Sequence, residues 1–527
     1  MAQPLSQISH WCENTNWLKR LAQYSIVCLL VVSLGCSRGE DTRKAEQQKA
    51  SPQDTSHTSE EVEIPLELWY VNYVLGERVG YERQSFDFAD EDGRRLRKVS
   101  GESCLRVKRA STIIEMRIRH TCWETLEGWP VRFEVETDQG ESTHRTKGEI
   151  RDGQLIVETE VAGQAVQKSL PCPANCRGFL GLQESLFEKP MSPREERDLT
   201  TLVPGLNDIA YMTLKANDYT SLQVGNRDVR TLSIQFTMTL NSGGIFRGQL
   251  WVDERGIIVK QETDSPPMTT ILATRGDALE QSPDPRLDLV RDIRIPVKGA
   301  PFPVERAAQA VYKISCDTED LSQLLPSDCH QTVKRLGPHT VELDVHPLSL
   351  SPEMPDCHES ADPSTTQATL WVQSNAPEII RMAEMAASGI SDPQDVAPAL
   401  AKFVYRTVRN KGYDHAFLSA LEVAERKQGD CTEHAVLLAA LARARGLPAR
   451  VAVGLVLQGD AFYYHMWTEI LVNGCWVGFD ATRERGIITP AYIKLGHNSL
   501  GTPDGLGAFL PAMKLIGQLT IEIVQSK

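Results

Sequence analysis

Cys431, His465 and Asp480 follow one another in the order nucleophile, base and orienting acid. A thiolate attacks an acyl carbon, an imidazole takes and returns the proton, and a carboxylate fixes the imidazole tautomer and steadies its cation. These residue types in this order predict thiol acyl transfer through a covalent thioester. Taken singly, Cys431 reads as a buried structural thiol, His465 as a strand histidine and Asp480 as a turn former. Their joint reading depends on elements that bring them together.

The flanking sequence supplies those elements. Asp430 is an N-cap by residue type, and Glu433 stands three residues later, the spacing of a capping box. The helix then runs through Ala435–Arg445, Gly446 ends it and Pro448 forbids its continuation. Cys431 falls in the first turn, where backbone N–H groups and the helix dipole favour an anion, so a lowered thiol pKa is expected. The helix is apolar nearly all round, which predicts burial. A strand over 449–457, a turn at Gln458-Gly459-Asp460 and a strand over Phe462–Val472 follow. Asn473-Gly474 is a two-residue hairpin signal, and Cys475–Asp480 is the return strand. That turn pairs Val472 with Cys475 and sets Trp467 opposite Asp480. His465 becomes the diagonal neighbour of Asp480 on the same face, about 7–8 Å away in backbone terms. Cys475 falls on the opposite face. The Cys431 backbone N–H is the natural oxyanion donor. Glu433 is expected as the cap, His434 as packing or support, and Trp467 as a wall of the site. Upstream, the apolar spacing predicts helices over 377–387, 393–408 and 421–426.

Four stretches resemble the transglutaminase-like superfamily of papain-type thiol enzymes. They are Gly429-Asp430-Cys431-Thr432-Glu433-His434-Ala435, Leu441–Arg450, Tyr464-His465-Met466-Trp467-Thr468-Glu469 and Trp476–Thr482. The resemblance covers roughly residues 375–525 and implies an α+β catalytic fold with Cys431, His465 and Asp480 as its triad. It implies a protein or peptide substrate and, after the exported bacterial peptidases of the superfamily, hydrolysis of amide bonds ahead of amine-accepting cross-linking. A non-catalytic envelope binding or scaffold protein is the alternative of another class. Many members use an upstream tryptophan as second oxyanion donor. No tryptophan lies between Trp371 and Trp467 here, which leaves Asn410 and Tyr413 as substitutes to consider. The mechanism requires no cofactor or metal, and no acidic loop has calcium-binding spacing.

The rest of the chain reads as delivery and binding apparatus. Its 527 residues suffice for about three domains. The net charge of −14 and the lack of a long basic block argue against nucleic acid as a partner. Lys19 and Arg20 precede an apolar run, Leu21–Gly35, too short to span a membrane comfortably. Residues 1–36 therefore read as an export signal ending at a lipidated Cys36, which resembles a bacterial lipoprotein signal and implies a membrane-anchored protein of the cell envelope. Residues 37–61 are a solvated tether. Alternating runs over 62–284 predict an antiparallel β-rich domain. Within it, Leu250–Lys260 is similar to hairpins of the curved-sheet lipoprotein-carrier modules of bacterial envelopes, which leaves a packing sheet and a concave binding surface both open. Residues 285–365 read as a small β module and linker, and 366–527 as the catalytic domain. The expected fold class is thus multidomain, β-rich and then α+β. In an oxidising compartment the nearest cysteine pairs, Cys104/Cys122, Cys172/Cys176 and Cys316/Cys329, are expected to bridge.

Overall fold

A computed structural model describes residues 67–527 except 110–111, 141, 281–283, 300–302, 349, 351–356, 358, 410–416 and 502–505. The expected signal segment with Cys36, the tether over 37–61, and Asn410 and Tyr413 lie outside the described residues. None of the described helices is long and apolar enough to cross a membrane.

The N-terminal region is β-rich, as its alternation predicts. Its first strand, Glu67–Val74, lies at the centre of a sheet of fifteen described strands, between Glu77–Glu91 and Pro267–Ala273. From the centre the chain meanders to one edge, ending at Gln164–Pro171. It restarts at the other edge with Cys176–Arg177, and returns strand by strand to pair Pro267–Ala273 with the first strand. Apart from Cys176–Arg177, which pairs in parallel with Glu196–Val203 across helix Gly181–Glu188, sequence neighbours pair antiparallel through short turns, which is why the short-range pattern is readable.

The C-terminal region is α+β. Its sheet runs Gln331–Gly337, Thr340–Val345, Ala310–Cys316, Leu519–Ser526, Ile295–Lys298, Ala461–Val472, Ala449–Gln458 and Tyr492–Asn498, with Cys475–Phe479 paired to Ala461–Val472. The strands of residues 295–345 are thus bonded into the sheet that carries His465, rather than into a sheet of their own. Ala310–Cys316 buries alternate residues and takes Leu519–Ser526 and Thr340–Val345 as its neighbours. A short strand with one apolar face needs such partners before it is stable.

Helix Cys431–Ala444 packs on this sheet, and helices Pro377–Ala386, Pro393–Thr407 and Ala420–Arg426 pack around that helix. In helix Cys431–Ala444, every residue from Cys431 to Arg443 is buried. Val436, Leu437, Leu438 and Leu441 are fully so, each contributing about 2 kcal/mol of burial. Thr468 Oγ1 donates to Ala435 O at 2.9 Å and ties helix to strand.

The two regions share one continuous apolar core. Polar contacts also cross between them. Arg109, the last residue of strand Arg94–Arg109, forms an ion pair with Asp430. Ser142 Oγ donates to Glu422 Oε1 at 2.8 Å, and the His144 ring meets Trp371 edge-on at 5.0 Å.

The disulfide expectations are corrected. Cys104, Cys122, Cys172, Cys176, Cys316 and Cys329 are not disulfide-bonded, and Cys357 bonds Cys475 across the hairpin turn region. Cys104 faces Arg117 and Cys122 faces Val99, so the first pair is offset by several rungs of its ladder. Cys316 Sγ approaches Gln518, whereas Cys329 lies beside Cys357 and Glu359.

Candidate active site

Gly429 has φ +142°, and a side chain there would run into Glu433, so glycine is required one residue before the cap. Both halves of the Asp430–Glu433 capping box form. Asp430 Oδ1 accepts from Thr432 N at 3.0 Å, and Glu433 Oε2 accepts from Asp430 N at 2.9 Å. Glu433 Oε1 also accepts from Leu418 N at 3.2 Å, and a His434 ring nitrogen contacts the Asp430 carbonyl. Cys431 is therefore held at the first helical position.

The hairpin has the register its turn predicts: Val472 faces Cys475 and Thr468 faces Phe479. His465 Nε2 and Asp480 Oδ2 are 2.9 Å apart. Asp480 sits in a cradle of donors. Tyr492 OH donates to Oδ2 at 2.6 Å, and Thr482 donates its N–H and hydroxyl to Oδ1 at 2.9 and 2.6 Å. Arg483 Nε lies 3.5 Å from Oδ2. Burial opposes ionisation of Asp480, but His465, Arg483 and Thr482 outweigh it and hold the carboxyl well below the ordinary range.

Cys431 meets this hairpin at a gap. On one edge of strand Ala461–Val472, Phe462 pairs with Ile295 and Thr468 with Phe479, and no described strand fills the interval. The Met466 amide donates to Cys431 Sγ at 3.3 Å. Thiol and imidazole are thus carried by residues that meet at adjacent strand positions. With Nε2 turned to Asp480, Nδ1 is the ring nitrogen left for proton transfer.

One electrostatic expectation is reversed. The helix start predicts a lowered thiol pKa. Instead, burial and the Asp430 carboxylate push the Cys431 thiol well above its usual range, against the Met466 amide and Arg109. Cys431 is 1 % exposed, His465 3 % and Asp480 1 %. In this closed arrangement the site rests as a thiol, so a base must take the proton.

Several supporting residues escaped the sequence reading. Thr482 had a signal, since Asp480-Ala481-Thr482 is an Asx-turn spacing. Tyr492 and Arg109 had none, because sheet pairing and inter-region docking bring them in. Trp467 stands at a ring distance of 6.3 Å from His465 and 5.6 Å from Tyr492, consistent with a wall. Among the described residues one group has metal-ligand spacing, Cys329, Cys357 and Glu359. The Cys357 sulfur is already committed to Cys475.

Burial and Asp430 push Glu433 up to about 8. Its folded value exceeds its unfolded one, so its stabilisation is complete at low pH and is lost as pH rises from about 4.5 through about 8. Glu433→Gln keeps the shape and removes the titration, at a pH-independent cost where its NH₂ meets the N–H of Leu418 or Asp430. Urea unfolding at pH 5 and pH 8.5 is expected to show the variant gaining roughly 3–5 kcal/mol relative to wild type at the higher pH. An equal difference at both pH values would contradict the assignment.

Residues 380–481 match the family model of the transglutaminase-like superfamily, a span that contains Cys431, His465 and Asp480. Comparison with curated proteins finds no match. A candidate cysteine protease from Cytophaga hutchinsonii shares 15 % identity over 40 % of this chain and 83 % of its own, with a TM-score of 0.25. A β-barrel-like protein of a domain of unknown function (DUF1849) from Brucella abortus shares 12 % identity over 40 % of this chain and 95 % of its own, with a TM-score of 0.30. A candidate protease from Parabacteroides distasonis shares 9 % identity over 68 % of each chain, with a TM-score of 0.19.

Proposed function

We propose that this chain, transglutaminase-like over residues 380–481, is a thiol enzyme that hydrolyses amide bonds of a protein or peptide. The observation that carries this reading is the His465–Asp480 contact at 2.9 Å, in a cradle of donors, beside a strand gap into which Cys431 projects. His465 Nδ1 takes the thiol proton as Cys431 Sγ attacks the acyl carbon. The Cys431 backbone N–H supports the oxyanion. His465 then protonates the departing amine, leaving a thioester. Water attacks that thioester, His465 takes its proton, and the sulfur leaves as a thiol once the proton returns. The high resting thiol pKa supports generation of the nucleophile by His465 rather than a standing thiolate.

The test uses the full chain and an iodoacetamide probe, with labelled sites read by mass spectrometry. Buried and resting as a thiol, Cys431 is expected to react more slowly than the half-buried Cys172 and Cys329 near neutral pH, and more slowly still in His465→Ala. Release of new amino groups from a denatured protein substrate decides the reaction: it is expected from wild type and absent in Cys431→Ala, and equal release from both would overturn the reading. Incorporation of a labelled cadaverine into a protein acceptor would move the function from hydrolysis to cross-linking. Export and a lipid anchor on Cys36 belong to the same proposal, and the mass of the mature N-terminus tests them.

A further inference from the structure

We propose that Arg109, delivered by the N-terminal sheet, is a positioning residue of the thiol site that holds Asp430 and lends a positive charge to the Cys431 thiolate. The inference rests on Cys431 being the nucleophile and adds a residue far outside the family match.

Arg109 is 1 % exposed although it ends a strand of a different sheet. Its guanidinium ion-pairs with Asp430, itself 6 % exposed, and that pair is buried on both sides. Long cations are almost never fully buried unless paired, so this burial marks a specific docking. Asp430 has two oxygens with separate duties. Oδ1 accepts from Thr432 N and Oγ1 and so caps the helix, while Oδ2 faces Arg109. The cap that fixes the nucleophile therefore depends on a counter-ion from the other region. The strand is anchored where Arg109 leaves it. Lys108 N donates to Leu287 O at 2.8 Å and Leu289 N donates to Lys108 O at 2.9 Å, backbone bonds that a side-chain substitution at Lys108 leaves in place.

The charged and titratable groups around the sulfur make the effect directional. From its own helix come Asp430, Glu433 and His434; from the hairpin come His465 and Asp480; from the N-terminal sheet comes Arg109. Asp430 opposes a thiolate and Arg109 favours one. Remove Arg109, and the sulfur is left beside an uncompensated carboxylate. A mere cover over the site would act in the opposite sense, because its removal would expose the thiol and speed its reaction.

The test compares full-length wild type, Arg109→Gln and Arg109→Lys, with Lys108→Gln as a control at the same strand end. Thiolate formation at Cys431 is followed by absorbance at the thiolate band across pH, as the difference from the matching Cys431→Ala chain. The expected result is a midpoint about one unit higher in Arg109→Gln, largely restored in Arg109→Lys, and unmoved in Lys108→Gln. Iodoacetamide alkylation of Cys431 at pH 7 should slow about tenfold in Arg109→Gln. An unchanged or lowered midpoint, or faster alkylation, would overturn the proposal. If the midpoint shifts as expected while turnover is absent in wild type, Arg109 keeps its role and the enzymatic reading fails.

Discussion

Asp480→Asn is expected to lower turnover by about 10³–10⁴-fold while leaving the fold intact. The reason lies in the directions of four hydrogen bonds. Thr482 presents a backbone N–H and a hydroxyl to Oδ1, and His465 Nε2 and Tyr492 OH approach Oδ2. The backbone N–H of Thr482 can only donate. The asparagine must therefore turn its carbonyl to Thr482 and its NH₂ to His465. The tyrosine hydroxyl can rotate to accept, but an imidazole facing NH₂ must accept through Nε2. The neutral ring then carries its proton on Nδ1, where the thiol proton should go. The variant is a correctly folded site with the wrong tautomer. Turnover and the melting temperature, measured together, check this. A variant retaining more than a tenth of the wild-type rate would remove Asp480 from its orienting role.

Lys494→Met is expected to destabilise the fold by about 3–5 kcal/mol near neutral pH. Lys494 is fully buried, with Nζ 2.6 Å from Glu469 Oε1 and ion-paired to Asp328. Arg450 holds the other Glu469 oxygen at 2.7 Å. Burial works against the Glu469 charge, yet Lys494 and Arg450 hold its pKa down to about 2. Deleting the lysine strands that carboxylate without half its compensation. The sign follows from the depressed value. Glu469's contribution is present above about 4.5 and is lost as pH falls through about 2, so the cost of Lys494→Met shrinks in acid. Adding Glu469→Gln should recover part of the loss at pH 7. Urea midpoints of wild type and the two variants at pH 7 and pH 3 measure both effects. The network also fastens residue 328 to the strands that carry Tyr492 and His465, with the Gln331 side-chain amide donating to Lys494 O at 2.8 Å and accepting from Lys494 N at 2.9 Å.

Features set by neighbours in sequence were legible before the structure. The Asp430 cap, the Gly446 stop and the Asn473-Gly474 turn each act within a few residues. Together they position Cys431 and bring His465 to Asp480. What could not be read depends on distant chain. Leu519–Ser526 enters the middle of the second sheet, and the strands of 295–345 join it, because sheet neighbours are chosen by complementary apolar faces rather than by spacing. Tyr492 reaches Asp480 through that pairing. Cys357 finds Cys475 instead of a local partner. The thiol pKa was misjudged for a related reason. The helix end that favours a thiolate is visible in sequence, but the burial that opposes it comes from packing.

Leu519–Ser526 lies between Ile295–Lys298 and Ala310–Cys316, two strands made about two hundred residues earlier. Neither strand gains that neighbour until residues 519–526 are in place. The N-terminal sheet closes with Pro267–Ala273 and needs none of them, so it can form before the sheet that carries His465 is complete. A polypeptide stopped short of residue 519 should present unsatisfied strand edges and leave the thiol site unassembled.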